Sequence, residues 1–153
     1  AIVSGLQVGG ACASHAELGL LHELLLGELG AQQESGLAAR VLQLVVAGGL
    51  HMDVSELEEP DLAAKRRKSK PLSGPAFTHS LGAAKAADIA DLFLASVAYS
   101  GIGVSVLPGE GDCGTLPALP QKALPRALFP RSRASGRLEL LANPWFFLFI
   151  DQQ

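Results

Sequence analysis

Cysteine is nearly absent from this 153-residue sequence, which carries Cys12 and Cys113 and no others. Two cysteines exclude a disulfide framework, and their separation alone does not decide whether they pair. Aromatic residues are scarce at 5%, with one Trp and one Tyr. The core must therefore be filled by Leu, Val, Ile and Ala, which specify packing less sharply than large rings do. No sign of charge dominates: 12 basic and 15 acidic residues leave a net charge of −3. That gives no global attraction to nucleic acid or to an anionic membrane, so such a partner would need a local patch. Long apolar runs without breakers are also missing. Leu92 to Gly109 is uncharged, but Ser96, Tyr99, Ser100, Gly101, Gly103, Ser105 and Pro108 interrupt it. It reads as a buried helix running into a strand and not as a membrane span. No basic stretch precedes an apolar one at the N-terminus, so no retained signal peptide is expected, and Ala1 fits a processed product or a fragment.

What is present suits one globular domain: 48% apolar residues against 18% charged. Ala1 to Val8 reads as a strand ending at Gly9-Gly10. Ser14 and Glu17 form a capping-box pattern opening a helix over 14–29. Leu18, Leu21, Leu25 and Leu29 lie on one face of it, and Gly30 is its expected stop. Residues 36–50 fit either a second helix or a buried strand, and Val41, Val45 and Val46 with Gly48-Gly49 favour a strand over 41–47. Asp53 or Ser55 would cap a further helix broken near Pro60. A second long helix is predicted over 81–99, with Ile89, Leu92, Phe93 and Val97 inward and Lys85, Asp88 and Asp91 off that face. The alternation after Gly101 predicts a strand over 102–107. Residues 110–137 contain Pro117, Pro120, Pro125 and Pro130 and read as an irregular, exposed, cationic loop. Trp145 to Ile150 reads as a buried strand. The expected fold is α+β, a helix-rich single domain over 1–153 packed on a small mixed sheet. The alternative is α/β with a parallel βαβ unit.

Candidate chemistry is thin. His15 and His22 stand seven apart, not the four of a helical zinc pair, and with Cys12 they make no full ligand set, so no metal is expected. Gly9-Gly10, between strand and capped helix, could present N–H groups to an anion, but neither a GxGxxG nor a Walker pattern surrounds it. In Pro108 to Gly114, Glu110, Asp112 and Cys113 have no identifiable partner and read as a polar turn. No GxSxG elbow or triad spacing is found, so no catalytic residue and no cofactor is expected. The sharpest charge feature is Lys65, Arg66, Arg67, Lys68 and Lys70, a candidate polyanion patch. It is preceded by Asp53, Glu56, Glu58, Glu59 and Asp61, which can absorb part of its charge. No interleaved aromatics support nucleic-acid stacking.

Several segments resemble the serpins. Leu21-His-Glu-Leu-Leu25, then Leu37-Ala-Ala-Arg40, then Gly49-Leu50, Asp53 and Leu57-Glu58 follow the order and approximate spacing of that family. Asp91 to Val97 with the strand after it, and Asn143 to Asp151, resemble the segments flanking the serpin reactive loop. The resemblance implies that 110–137 is that loop, with Arg126, Arg131 and Arg133 exposed to a trypsin-like protease. Pro117 falls in the hinge, where it would deny an N–H to a sheet, so a trapping inhibitor is not implied.

Three functional classes follow. The first is a non-enzymatic binding or protease-interaction module using the 65–70 patch or the cationic loop, with a protein or polyanion partner. The second is a small α/β enzyme or anion-binding domain using Gly9-Gly10. The third is a structural subunit of a larger assembly, docking or oligomerising through 138–150.

Overall fold

A computed structural model describes residues 1–8, 15–29, 36, 40–51, 81–112 and 118–147. Among these residues the chain forms β1 (Ile2–Val3), α1 (His15–Leu26), β2 (Gln43–Ala47), α2 (Leu81–Tyr99), β3 (Gly103–Leu107), a 3-10 turn (Arg126–Leu128), α3 (Pro130–Ala134) and β4 (Leu138–Leu140). The strands build one four-stranded sheet in the order β1-β2-β3-β4. Every neighbouring pair in it is parallel. The architecture is thus helices packed on a small parallel sheet, and the sheet expected to be mixed is parallel throughout its four strands. Parallel neighbours require crossovers. Strands taken in sequence order with crossovers of one hand place all connecting helices on one face. Accordingly α1 and α3 both pack against α2.

The register explains the core. Leu44 pairs with Val104 and Val46 with Val106, while Val104 and Val106 also pair with Leu138 and Leu140. Successive strand residues point to opposite sides. These side chains therefore share one face, where they meet Ala90, Phe93, Leu94, Val97 and Ala98 of α2. The other face carries a polar row. The Gln43 amide nitrogen donates to Ser105 Oγ at 2.7 Å, and Ser105 Oγ donates to Glu139 at 3.4 Å.

α1 follows the leucine spacing: Leu25 is buried, and Leu18 and Leu21 pack against the core. It ends at Leu26, three residues before the expected end at Leu29. Gly27 adopts φ +77°, its N–H donates to the Leu24 carbonyl at 3.1 Å, and Glu28 N–H reaches the Glu23 carbonyl at 2.9 Å. This paired closure by a left-handed glycine stops a helix wherever it forms. α2 has the predicted bounds, but its inward face is rotated. Leu92 is 60% exposed, whereas Leu94 and Asp91 are fully buried.

The N-terminal segment departs from a regular strand after Val3, where Gly5 and Gln7 both take positive φ. It still follows its neighbour: Gly5, Gln7 and Val8 donate N–H groups to the carbonyls of Gly48, Gly49 and Leu50. At the other end, the fourth strand is Leu138–Leu140 and not the aromatic segment after it. Trp145 is 51% exposed and Phe146 91% exposed, because the two leucines of β4 already fill the core edge. Leu148 to Ile150, and the helix expected near Asp53, lie outside the described residues.

Candidate functional site at the carboxyl ends of the strands

Parallel sheets place binding groups at the carboxyl ends of their strands, in the crevice where the strand order reverses. The order β1-β2-β3-β4 contains no reversal among the described strands. The loops at that end are drawn together instead. Gly48 and Gly109 make the approach: a Cβ on Gly109 would lie 2.5 Å from the Gly49 nitrogen and 2.8 Å from Gly48 Cα. Only glycine permits backbone against backbone at that distance.

Asp112 closes the gap. Its Oδ2 accepts from Gly109 N–H at 2.7 Å and Gly49 N–H at 3.1 Å, and its Oδ1 accepts from His51 N–H at 2.8 Å. One buried carboxylate thus ties the loop after β2 to the loop after β3. Hydrogen bonds to a charged acceptor are the stronger kind, and burial makes their loss costly. His51 Nδ1 stands 3.6 Å from Asp112 Oδ1, and the imidazole lies against Phe129 with ring centroids 6.3 Å apart.

A second clasp joins residues far apart in sequence. Gln121 and Asn143 exchange main-chain hydrogen bonds at 2.7 and 3.0 Å. The Asn143 amide donates to the Pro108 carbonyl at 3.2 Å and to Gln121 Oε1 at 2.9 Å. The Gln121 amide donates to the Gly109 carbonyl at 3.3 Å. The carbonyls leaving β3 are therefore held by side-chain amides, and the N–H groups by a carboxylate.

Asp91 makes a third attachment. Its carboxylate, fully buried on α2, accepts from the N–H groups of Arg131 and Ser132 at 2.9 Å each and from Ser132 Oγ at 2.6 Å. The first turn of α3 is capped by a residue of another helix, which satisfies its free N–H groups and places a negative charge at the helix start. Pro130 at the first position suits this turn. Phe129, just before it, is fully buried.

The candidate residues fall as follows. Arg126, Arg131 and Arg133 are exposed, but the segment carrying them is not an irregular loop: a 3-10 turn and α3 hold it, anchored by Leu124, Phe129 and Asp91. Arg131 pairs with Asp88 at 2.5 Å, and that hydrogen bond raises the guanidinium pKa further above its ordinary value. Gly9, Gly10, Cys12, Cys113 and the basic cluster Lys65, Arg66, Arg67, Lys68 and Lys70 lie outside the described residues. Asp112, read from sequence as part of a polar turn, is the organising residue. The signal for it was the glycine on either side of the β2 and β3 exits, which announces close backbone approach. Among the described residues, no group of three or more His, Cys, Asp or Glu is placed to hold a metal ion. No described helix is long and apolar enough to cross a membrane.

Comparison with known proteins identifies the relationship. The family of B subunits of DNA polymerases alpha and epsilon matches residues 1–153. The DNA polymerase delta small subunit of Arabidopsis thaliana is 29% identical over 149 residues, covering 95% of this chain and 30% of the relative. The chain thus spans about a third of the length of that relative. These matches overturn the serpin resemblance, which rested on short apolar strings. Of the segments assigned there to flank a reactive loop, Asp91 to Leu107 belongs to the parallel α/β core, and the described part of the other is exposed at Trp145 and Phe146. Residues 126–128 and 130–134 of the supposed loop are helical and pinned by Asp91. Matched along its whole length, the chain belongs to the B-subunit family of DNA polymerases alpha and epsilon.

Proposed function

We propose that this chain is a non-catalytic, structural part of a DNA polymerase assembly, serving to hold other subunits and not to perform chemistry. The observation that carries this reading is the state of Asp112. It occupies the place where a parallel α/β enzyme would keep a reactive group, and it accepts three main-chain N–H groups instead. Gln121 and Asn143 are likewise engaged with the backbone of the β3 exit. A carboxylate so occupied is a fastening. The family relationship supplies the assembly, and the small-subunit relative supplies its type.

Contact with DNA is proposed to come through the assembly. The net charge of −3 supports this, since direct backbone binding depends on a cationic surface.

The test is co-expression with the catalytic subunit of a delta-type DNA polymerase, followed by size-exclusion chromatography with light scattering. Co-elution at a fixed stoichiometry is expected, with DNA retention by the complex and none by this chain alone. A chain that elutes by itself, or that alone binds DNA tightly at physiological salt, overturns the reading.

A further inference from the structure

The least satisfied part of the fold is the outer edge of the sheet. β4 is the last strand in the order, paired among the described residues with β3 alone. Toward β3, Val104 N–H donates to the Arg137 carbonyl and Leu141 N–H donates to the Val106 carbonyl, both at 2.9 Å. In a parallel ladder, alternate residues turn their main-chain groups to opposite sides. Leu138 and Leu140 therefore aim theirs outward, at an edge unpaired among the described residues, which folded proteins ordinarily cover or blunt.

An open cleft of about 490 Å³ runs along this edge, lined among others by Arg126, Arg133, Leu138, Glu139, Leu140 and Trp145. Its two arginines differ from their neighbours. Arg131 is paired with Asp88, and the Arg137 guanidinium donates to the Gly101 carbonyl at 3.0 Å. Arg126 and Arg133 have no such partner among the described residues. Glu139 is the one carboxylate in the lining, and it accepts from Ser105 on the polar face of the sheet. The leucines and the half-exposed Trp145 add an apolar wall.

We propose that this edge and cleft dock an extended acidic segment of a protein partner. The segment adds as a strand beside β4, placing carboxylates against Arg126 and Arg133 and an apolar side chain against Trp145. Strand addition supplies affinity through main-chain bonds and specificity through alternate side chains. This edge favours a polypeptide over single-stranded nucleic acid, because a second strand matches a row of alternating N–H and C=O groups while a phosphate backbone offers acceptors alone. A strand-binding site for nucleic acid would also need several stacking rings along the cleft, and Trp145 is the single aromatic in its lining. The proposal rests on the structural-subunit reading only in taking the partner to be a protein.

Trp145 is the sole tryptophan of the chain, so its fluorescence reports on the site. The full chain is titrated with an acetylated peptide alternating Asp or Glu with Leu, with its lysine-for-acid counterpart, and with oligodeoxythymidine. Saturable binding of the acidic peptide alone is expected. Arg126→Glu with Arg133→Glu should weaken it by about tenfold or more, the loss expected when facing charges change from attraction to repulsion. Leu140→Pro removes an outward N–H and no bond to β3, and should also weaken it. Circular dichroism verifies that each variant folds, and the exposed arginine pair keeps the test decisive if the proline variant does not. Absence of peptide binding, equal binding by the charge-reversed chain, or binding of oligodeoxythymidine in its place overturns the proposal. Loss of peptide binding with co-elution intact removes this site and spares the subunit reading. Peptide binding without co-elution does the reverse.

Discussion

The loops at the carboxyl ends of β2 and β3 and the outer edge of β4 belong to one sheet, yet they treat their polar groups in opposite ways. At the loops, main-chain N–H groups meet Asp112 and carbonyls meet Asn143 and Gln121. At the edge, the main chain of Leu138 and Leu140 faces outward beside Arg126, Arg133 and the half-exposed ring of Trp145. The first arrangement uses its hydrogen-bonding capacity inside the chain and makes a rigid frame. The second leaves that capacity to something else. The proposed holding role needs both: a frame that does not depend on partners, and a surface that does.

Removing the centre of the frame is the most damaging test of this contrast. Asp112→Ala takes the charged acceptor from one buried and two part-buried N–H groups and is expected to cost on the order of 3–6 kcal/mol, since each hydrogen bond to a charged group contributes roughly 1.5–3 kcal/mol. Urea unfolding followed by circular dichroism measures it. A loss below about 1 kcal/mol would mean that water replaces the carboxylate easily and that the loops are not a frame. Gly109→Ala comes next, at about 3 kcal/mol, because the added methyl meets the backbone of residues 48 and 49 and neither can yield as a flexible side chain would. Its cost should add little to that of Asp112→Ala in the double variant, since both open the same junction.

How much of this is legible in the sequence depends on the range of the interaction. α2 and β3 can be placed closely because a buried helix and a buried strand write their periods into neighbouring residues. The end of α1 differs from its expected place by three residues because Gly27 and Gly30 look alike until the chain chooses which one stops the helix. The glycines at the β2 and β3 exits mark where the backbone closes on itself, but neither Asp112 nor Asp91 is singled out as the organiser by its own neighbours. Their partners lie 61 and 41 residues away, at His51 and Ser132, and a buried acid bonded to distant main chain looks locally like any surface acid. β4 escapes for a related reason. Leu138–Leu140 is three residues long, while Trp145 to Ile150 shows a stronger apolar signal that the core does not use at its described positions.

A smaller effect is expected at α3. Asp91→Asn keeps the shape of the side chain but turns an amide N–H toward donors, so the cap loses one acceptor and its charge. The expected cost is about 2 kcal/mol, concentrated on residues 126–137. Amide hydrogen exchange should show those residues opening before β2 and β3 do.

The smallest effect should come from Phe146→Ser. A ring 91% exposed has almost no contact area to lose, so the transfer contribution that makes buried phenylalanine substitutions costly is missing. The unfolding free energy should stay within about 0.5 kcal/mol of the parent, as at surface positions without special contacts. Removing this ring should also lower self-association at high concentration, because an exposed aromatic next in sequence to the Trp145 of the cleft extends the apolar surface open to contact. If Phe146→Ser instead destabilised the chain as much as Asp91→Asn, the ring would have to be buried in the folded protein in solution. The edge would then be part of the frame, and the opposition between the two regions would disappear.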